Sequence, residues 1–144
     1  MVFHAKLLTG CRVSRGIECV PKRVEISQLS LQGLYSELDR SAVNNDDVLK
    51  GVSFGAVDAA QLPRFEQSHI YIFDRVFSRC TIEGIAPVLQ RSPFWVMISS
   101  KPPRLWWACG LSKVQPVAKM RFVTTGRERM TCYVFVNVDY VPGI

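Results

Sequence analysis

The sequence predicts an α/β fold, a parallel βαβ unit followed by an antiparallel hairpin, and three observations carry that expectation. Two short apolar runs, His69–Phe73 and Phe94–Ile98, are rich in β-branched and aromatic residues and lack polar alternation. That is the pattern of strands buried on both faces of a parallel sheet. Between them Val76, Phe77, Cys80, Ile82, Ile85 and Leu89 recur at roughly helical spacing, over a segment long enough to cross back over a sheet. Near the C-terminus two further apolar runs, Lys119–Thr125 and Met130–Val138, flank the turn-forming stretch Gly126–Arg129, which predicts a hairpin.

The remaining elements follow in chain order. Val2–Leu8 is apolar and is stopped by Thr9 and Gly10, as a helix is stopped by glycine beyond its last turn. Cys11–Cys19 reads as a mixed strand with Val13 and Ile17 as its apolar positions. Pro21 suits the first turn of a helix, and Val24, Leu31, Leu34, Tyr35 and Leu38 then share one face of a long helix running to Arg40. Ser41–Asp47, with paired asparagines and paired aspartates, is a loop, and Val48–Val57 carries another strand. Pro102 and Pro103 are expected to end the central unit, because proline disfavours helix before it and cannot donate to a ladder. With 144 residues, no internal repeat and no Gly/Ser/Pro-rich linker, the chain is expected to be a single domain with one core.

Composition bounds the function. The 48% hydrophobic and 21% charged content is that of an ordinary globular protein and argues against disorder. No run approaches the roughly 18 apolar residues of a membrane span, and the first residues lack a cleavable leader pattern, so a soluble intracellular protein is expected. Five cysteines, odd in number and without a CxxC pair or clustered histidines, point to buried thiols in a reducing compartment and away from a zinc site. The net charge of +6 suits an acidic partner such as nucleic acid or chromatin. Most basic residues are scattered; the densest pairs are Lys101 with Arg104 and Arg127 with Arg129.

Three strands end in acids, Glu18, Asp58 and Asp74. Open α/β sheets bind ligands at the carboxyl ends of their strands, so the chemistry is expected there. An acid ending one strand can accept hydrogen bonds from both ribose hydroxyls, and an acid after the next can accept from an adenine amino group.

The stretches GIECVPKRVEISQ, FGAVDAAQLP, SHIYIFDRVFS, FWVMISSKP and MTCYVF together resemble the C-terminal part of the catalytic domain of the disruptor-of-telomeric-silencing family of histone H3 lysine methyltransferases, its kinetoplastid branch in particular. The resemblance runs from Val2 to about Val138. It implies a Rossmann-like class I methyltransferase sheet with a C-terminal antiparallel hairpin, S-adenosylmethionine as cofactor, the nucleosome as partner through histone H3 and through DNA at basic residues, and the nucleus as location. By the same resemblance Glu18 holds the cofactor ribose, and Asp58 with Ala59 contacts adenine. Phe73 and Asp74 stand where the family places an asparagine facing the lysine channel, and Asp74 is the departure from that pattern. Tyr133 falls on the hairpin tyrosine at the channel mouth, and Phe77 is a candidate for its wall. The family's glycine-rich turn and the strand before it are missing from the stretch matched here, so residues 1–144 are expected to be the later part of one catalytic domain. Two other readings compete with the enzyme: an inactive fragment that serves as a chromatin-interaction module, and a small basic nucleic-acid-binding protein.

Overall fold

Helix α1, Val2–Thr9, ends at Gly10, whose φ of 64° only glycine adopts without cost. The computed structural model describes residues 2–40, 48–123 and 129–140. The expected loop Ser41–Asp47 and the hairpin turn, apart from Arg129, lie outside the described residues. The chain divides into two compact units, Met1–Ala59 and Ala60–Ile144.

In the first unit, strand β1 (Ser14–Glu18) pairs in parallel with β2 (Val52–Ala56), and helix α2 (Pro21–Arg40) connects them with its proline at the first position, as expected. Both strands are shorter than the sequence suggests. Residues 48–51 form a turn rather than the start of β2, because Gly51 takes a φ of 84° and its Cα approaches the Arg12 carbonyl more closely than any side chain would permit. Gly16 is a second close approach, since a Cβ there would meet the Phe54 ring at 2.7 Å and Val2 at 3.0 Å. That absence lets α1 lie on the strand pair, where Phe3 meets Phe54 edge-on at 5.3 Å and Ser14 Oγ donates to the Val2 carbonyl at 2.9 Å. The predicted face of α2 is used unevenly. Val24 is buried and Tyr35 donates its hydroxyl to the Leu49 carbonyl at 3.2 Å, while Leu34 stays exposed.

The second unit is a four-stranded sheet in the order β3-β4-β6-β5. Strands β3 (His69–Ile72) and β4 (Val96–Ser99) are parallel and joined by helix α3 (Arg79–Arg91), so the predicted βαβ crossover is present. The helix starts later than its apolar spacing suggests. Ser78 caps it by accepting from the Thr81 N–H at 3.2 Å, which leaves Val76 exposed and Phe77 half-buried on the loop before it. Ile82, Ile85, Ala86, Val88 and Leu89 then bury one face, and Phe94, Met97, Trp106, Leu111 and Phe135 complete the core. Pro87 is exposed, so the amide it cannot donate is lost on the water side.

The proline pair follows the end of the central unit at Ser99, as expected. Pro103 opens a short helix, α4 (Pro103–Ala108), because the first helical position needs no N–H and favours proline's fixed φ. The two adjacent tryptophans divide: Trp106 is fully buried and Trp107 is half exposed. Strand β5 (Val114–Val123) begins earlier than expected and passes through Pro116, with a bulge between Pro116 and Ala118. An edge strand tolerates proline there, and β5 is the outermost strand, antiparallel to β6 (Arg129–Asn137). The cysteines correct the expectation of buried thiols: Cys132 alone of the five is buried, Cys19 and Cys80 are exposed, and all are free. Among the described residues no helix is long and apolar enough to cross a membrane.

Candidate functional site

In the first unit the parallel register pairs Glu18 with Ala56, and Asp58 follows two residues later. The two acids therefore stand at neighbouring carboxyl ends of one strand pair. The Glu18 carboxylate is held below its usual range, first by the Val20 N–H at 3.0 Å, then by the Cys19 thiol at 3.5 Å and the Arg23 guanidinium at 3.3 Å; partial burial opposes them. Glu18 is thus an ionised acceptor at neutral pH, the state that binds hydroxyl donors best. Its partner Arg23 is largely exposed, so the ion pair contributes about 0–1 kcal/mol and is displaced at little cost. Asp58 is exposed, and Ala59 opens a single 3₁₀ turn to Gln61.

In the second unit the sheet brings Phe73, Asp74, Phe77 and Tyr133 to one end. Phe73 follows the last residue of β3 and is 58% exposed. Tyr133 lies directly opposite Ser99, the last residue of β4, because β6 runs antiparallel to it. The Lys119 ammonium stands 5.7 Å from the Tyr133 ring centre. The loop that carries Phe77 is fastened from the next strand end, where Lys101 Nζ donates to the Arg75 carbonyl at 3.2 Å and the Phe77 carbonyl at 3.1 Å. Lys101, read from sequence as one of a basic pair, is therefore part of this clamp.

Asp74 is fully buried. One of its oxygens accepts from the Ser99 hydroxyl, and the other from the Ser100 N–H at 2.8 Å and the Ser100 hydroxyl at 2.5 Å. Ser99 Oγ in turn accepts from Trp106 Nε1 at 2.9 Å and the Lys101 N–H at 3.0 Å. A hydroxyl has one donor and two acceptor sites, so Ser99 is fully used. Both Asp74 oxygens already carry partners from the protein, and the residue locks the ends of β3 and β4 together. The Cys132 thiol is pushed up by burial and then by the Asp74 charge, which keeps it protonated and a poor nucleophile.

Sequence reasoning singled out Asp74 and quoted the segment containing Ser99 and Ser100, yet did not join them. The signal was present: a right-handed βαβ crossover sets the carboxyl ends of its two strands side by side, so polar residues ending one strand meet those ending the next.

Lys113 was not singled out at all. It is 7% exposed, donates to the Ser92 carbonyl at 2.6 Å, and lies 5.4 Å from the Phe94 ring centre and 5.6 Å from that of Tyr140. Burial lowers its pKa from the ordinary 10.5, and the Asp139 charge partly opposes the shift. The unfolded chain therefore binds the extra proton between the lowered value and 10.5, and the lysine's contribution to stability increases with pH across that window. Urea unfolding of the native chain and Lys113→Met at a series of pH values should show the native chain gaining on the variant as pH approaches 10.5. A pH-independent difference would refute the assignment. Comparing the two chains cancels the opposite trend from Cys132 and Tyr71, whose pKa values burial raises.

No protein-family model matches the sequence, and comparison with curated proteins finds no match. Among solved structures the chain is similar to the N-methyltransferase NodS from Bradyrhizobium japonicum WM9, with 14% identity over 92% of this chain and 77% of that one and a TM-score of 0.50. A structure of the same enzyme with S-adenosyl-L-homocysteine aligns at 12% identity over 94% of this chain and 84% of that one, with a TM-score of 0.37. At such identity the first likeness bears on the fold alone: the chain has the Rossmann-like α/β fold of a class I methyltransferase.

Proposed function

We propose that the chain is an S-adenosylmethionine-dependent methyltransferase domain acting in the nucleus on a lysine in the core of nucleosomal histone H3. The observation that carries the methyltransferase reading is the β1–β2 register, which sets Glu18 and Asp58 at adjacent strand ends. The narrower reading rests on the sequence resemblance, joined by the net charge of +6 and the aromatic residues gathered at the carboxyl end of the second sheet.

The residues present suit the adenosine part of the cofactor. Glu18, ionised and partly exposed, would accept from the ribose hydroxyls, and Asp58 with Ala59 would meet the adenine. When bound, the cofactor supplies the methyl group. Transfer to a lysine asks little acid–base chemistry of the protein, but the amine must arrive neutral although its ordinary pKa is about 10.4. Phe73, Phe77 and Tyr133 would line an apolar approach that strips water from the amine and so favours its neutral form. Asp74 acts in this reading as a positioning residue: it fixes the strand end from which Phe73 projects.

The test is calorimetric titration of the 144-residue chain with S-adenosyl-L-homocysteine, paired with methyl transfer to reconstituted nucleosomes. Micromolar binding is expected, with a loss of roughly 10–100-fold in Glu18→Ala, the value of charge-assisted hydrogen bonds worth about 1.5–3 kcal/mol. Undiminished affinity in that variant sinks the ribose assignment. Binding together with methyl transfer to another substrate, and none to histone H3, sinks the substrate assignment alone.

A further inference from the structure

We propose that a pocket on the projecting end of the β5–β6 pair binds an acidic side chain of a protein substrate, a few residues from the lysine to be methylated. The inference rests on the function proposed above, in which Tyr133 borders the path of that lysine.

Unequal strand lengths create the surface. β4 pairs with β6 only as far as Ser99 opposite Tyr133, whereas β5 and β6 stay paired to Val123 opposite Arg129. The last rungs therefore project past the carboxyl end of β4 as a two-stranded ribbon, at the end of the sheet where Phe73 and Tyr133 gather. Alternation places Lys119, Arg121 and Val123 on the same face of the ribbon as their partners Tyr133, Thr131 and Arg129. Beyond the contact of Lys119 with the Tyr133 ring lies a pocket of about 430 Å³, lined by Arg121, Val123, Arg129, Met130 and Thr131.

The lining selects the ligand. Arg121 faces Thr131 and lies diagonal to Arg129, so two guanidinium groups are within reach of one anion. Both arginines are exposed, and neither forms an ion pair with an acid among the described residues. Like charges so placed repel, and an anion between them removes the repulsion. A carboxylate accepts from guanidinium groups in pairs, and the Thr131 hydroxyl can supply a further donor. Val123 adds an apolar wall that suits the methylenes of a side chain. A nucleic-acid backbone calls for cations spread along a track, whereas these converge on one pocket beside Tyr133. Thr131 and Arg129 lie about 7 and 14 Å along β6 from Tyr133 at roughly 3.4 Å per residue, so an extended substrate would reach the pocket with a residue roughly two to four positions from its lysine.

The experiment uses the full chain and two labelled peptides with one central lysine, one carrying glutamates two and four positions to either side and the other glutamines there. Binding is read by fluorescence anisotropy and methylation by kcat/KM. The native chain should prefer the glutamate peptide by about 3–10-fold in both, the value of a charge-assisted pair discounted for exposure. Arg121→Gln with Arg129→Gln should abolish the preference, and Lys22→Gln with Arg40→Gln, which removes the same charge from exposed positions of α2, should keep it. Arg121→Glu with Arg129→Glu should reverse it toward a peptide with arginines at those positions. If the double variants fail to fold, Arg129→Gln alone should reduce the preference about half as far on a logarithmic scale. Preference in binding without methylation of either peptide leaves the pocket standing and removes the reaction. Methylation of both peptides with equal kcat/KM and equal affinity removes the pocket and leaves the reaction. No binding of the glutamate peptide, equal loss in the control, or binding of a 20-base-pair DNA duplex that depends on Arg121 and Arg129 while the peptides are not distinguished would each overturn the proposal.

Discussion

Replacing Asp74 with alanine should destabilise the protein by about 3–5 kcal/mol, because it strands the fully buried Ser99 hydroxyl and takes the acceptor from both donors of the half-buried Ser100. The cost lies in the unpaired donors rather than in the lost bonds, since a buried donor without an acceptor retains its full desolvation penalty. Asp74→Asn keeps one carbonyl oxygen and most of the volume, and the serine hydroxyls can rotate toward it, so roughly half the loss is expected. Urea denaturation of both variants measures this. A loss below about 1 kcal/mol for Asp74→Ala would show that the network is not closed as described. The same variant bears on function. If Asp74 only positions Phe73, methyl transfer should follow folded fraction in Asp74→Asn, whereas direct contact with the lysine would lower turnover in a fully folded sample.

Trp106→Ala should cost a similar ~3–5 kcal/mol, by a different route. The indole is fully buried, so truncation leaves a cavity that surrounding side chains fill only in part, and Ser99 loses one of its two donors. Trp106→Phe retains most of the apolar area and should cost about 1–2 kcal/mol. Fluorescence gives an independent readout. Trp95 and Trp107 are about half exposed, so the buried Trp106 supplies the blue part of the emission, and Trp106→Phe should shift the native spectrum to the red. An unshifted spectrum would place Trp106 in water and contradict its packing. Because Asp74 and Trp106 both meet at Ser99 Oγ, their effects should not add; a coupling of about 0.5–3 kcal/mol in the double variant is expected.

Much of the fold was legible before the structure, for identifiable reasons. The apolar runs 69–73 and 94–98 and the helical spacing between them specify a crossover, and the crossover is present, but β3, expected to be buried on both faces, lies at the sheet edge without a buried residue. Local punctuation did the rest in the first unit: Gly10 stops α1 and Pro21 starts α2. Ends were misjudged where a neighbour decides. The strand expected from Lys119 begins at Val114 and runs through Pro116, which is accommodated because β5 has an open edge, a fact about strand order that the local sequence does not state. Pro102 and Pro103 follow the end of the central unit as expected, but the helix that Pro103 opens was not anticipated, since proline suits both the end of one element and the first turn of the next.

The candidate site divides along the same line. That Glu18, Asp58 and Asp74 follow strands was readable from residue order, because a strand's carboxyl end is defined by the chain itself. What each acid touches was not. Glu18 remains a partly exposed, ionised acceptor, with Asp58 at the neighbouring strand end, while Asp74 is buried with both oxygens bonded to serines that lie on the far side of a helix in sequence.

The sequence by itself determined most of the strands and helices and the order in which they alternate, though not α4, because periodicity and turn chemistry act over a few residues. The tertiary structure alone decided which polar groups are partnered and which are left for a ligand. Hydrogen bonds and charges are settled by neighbours in space, and strand pairing chooses those neighbours without regard to their separation along the chain.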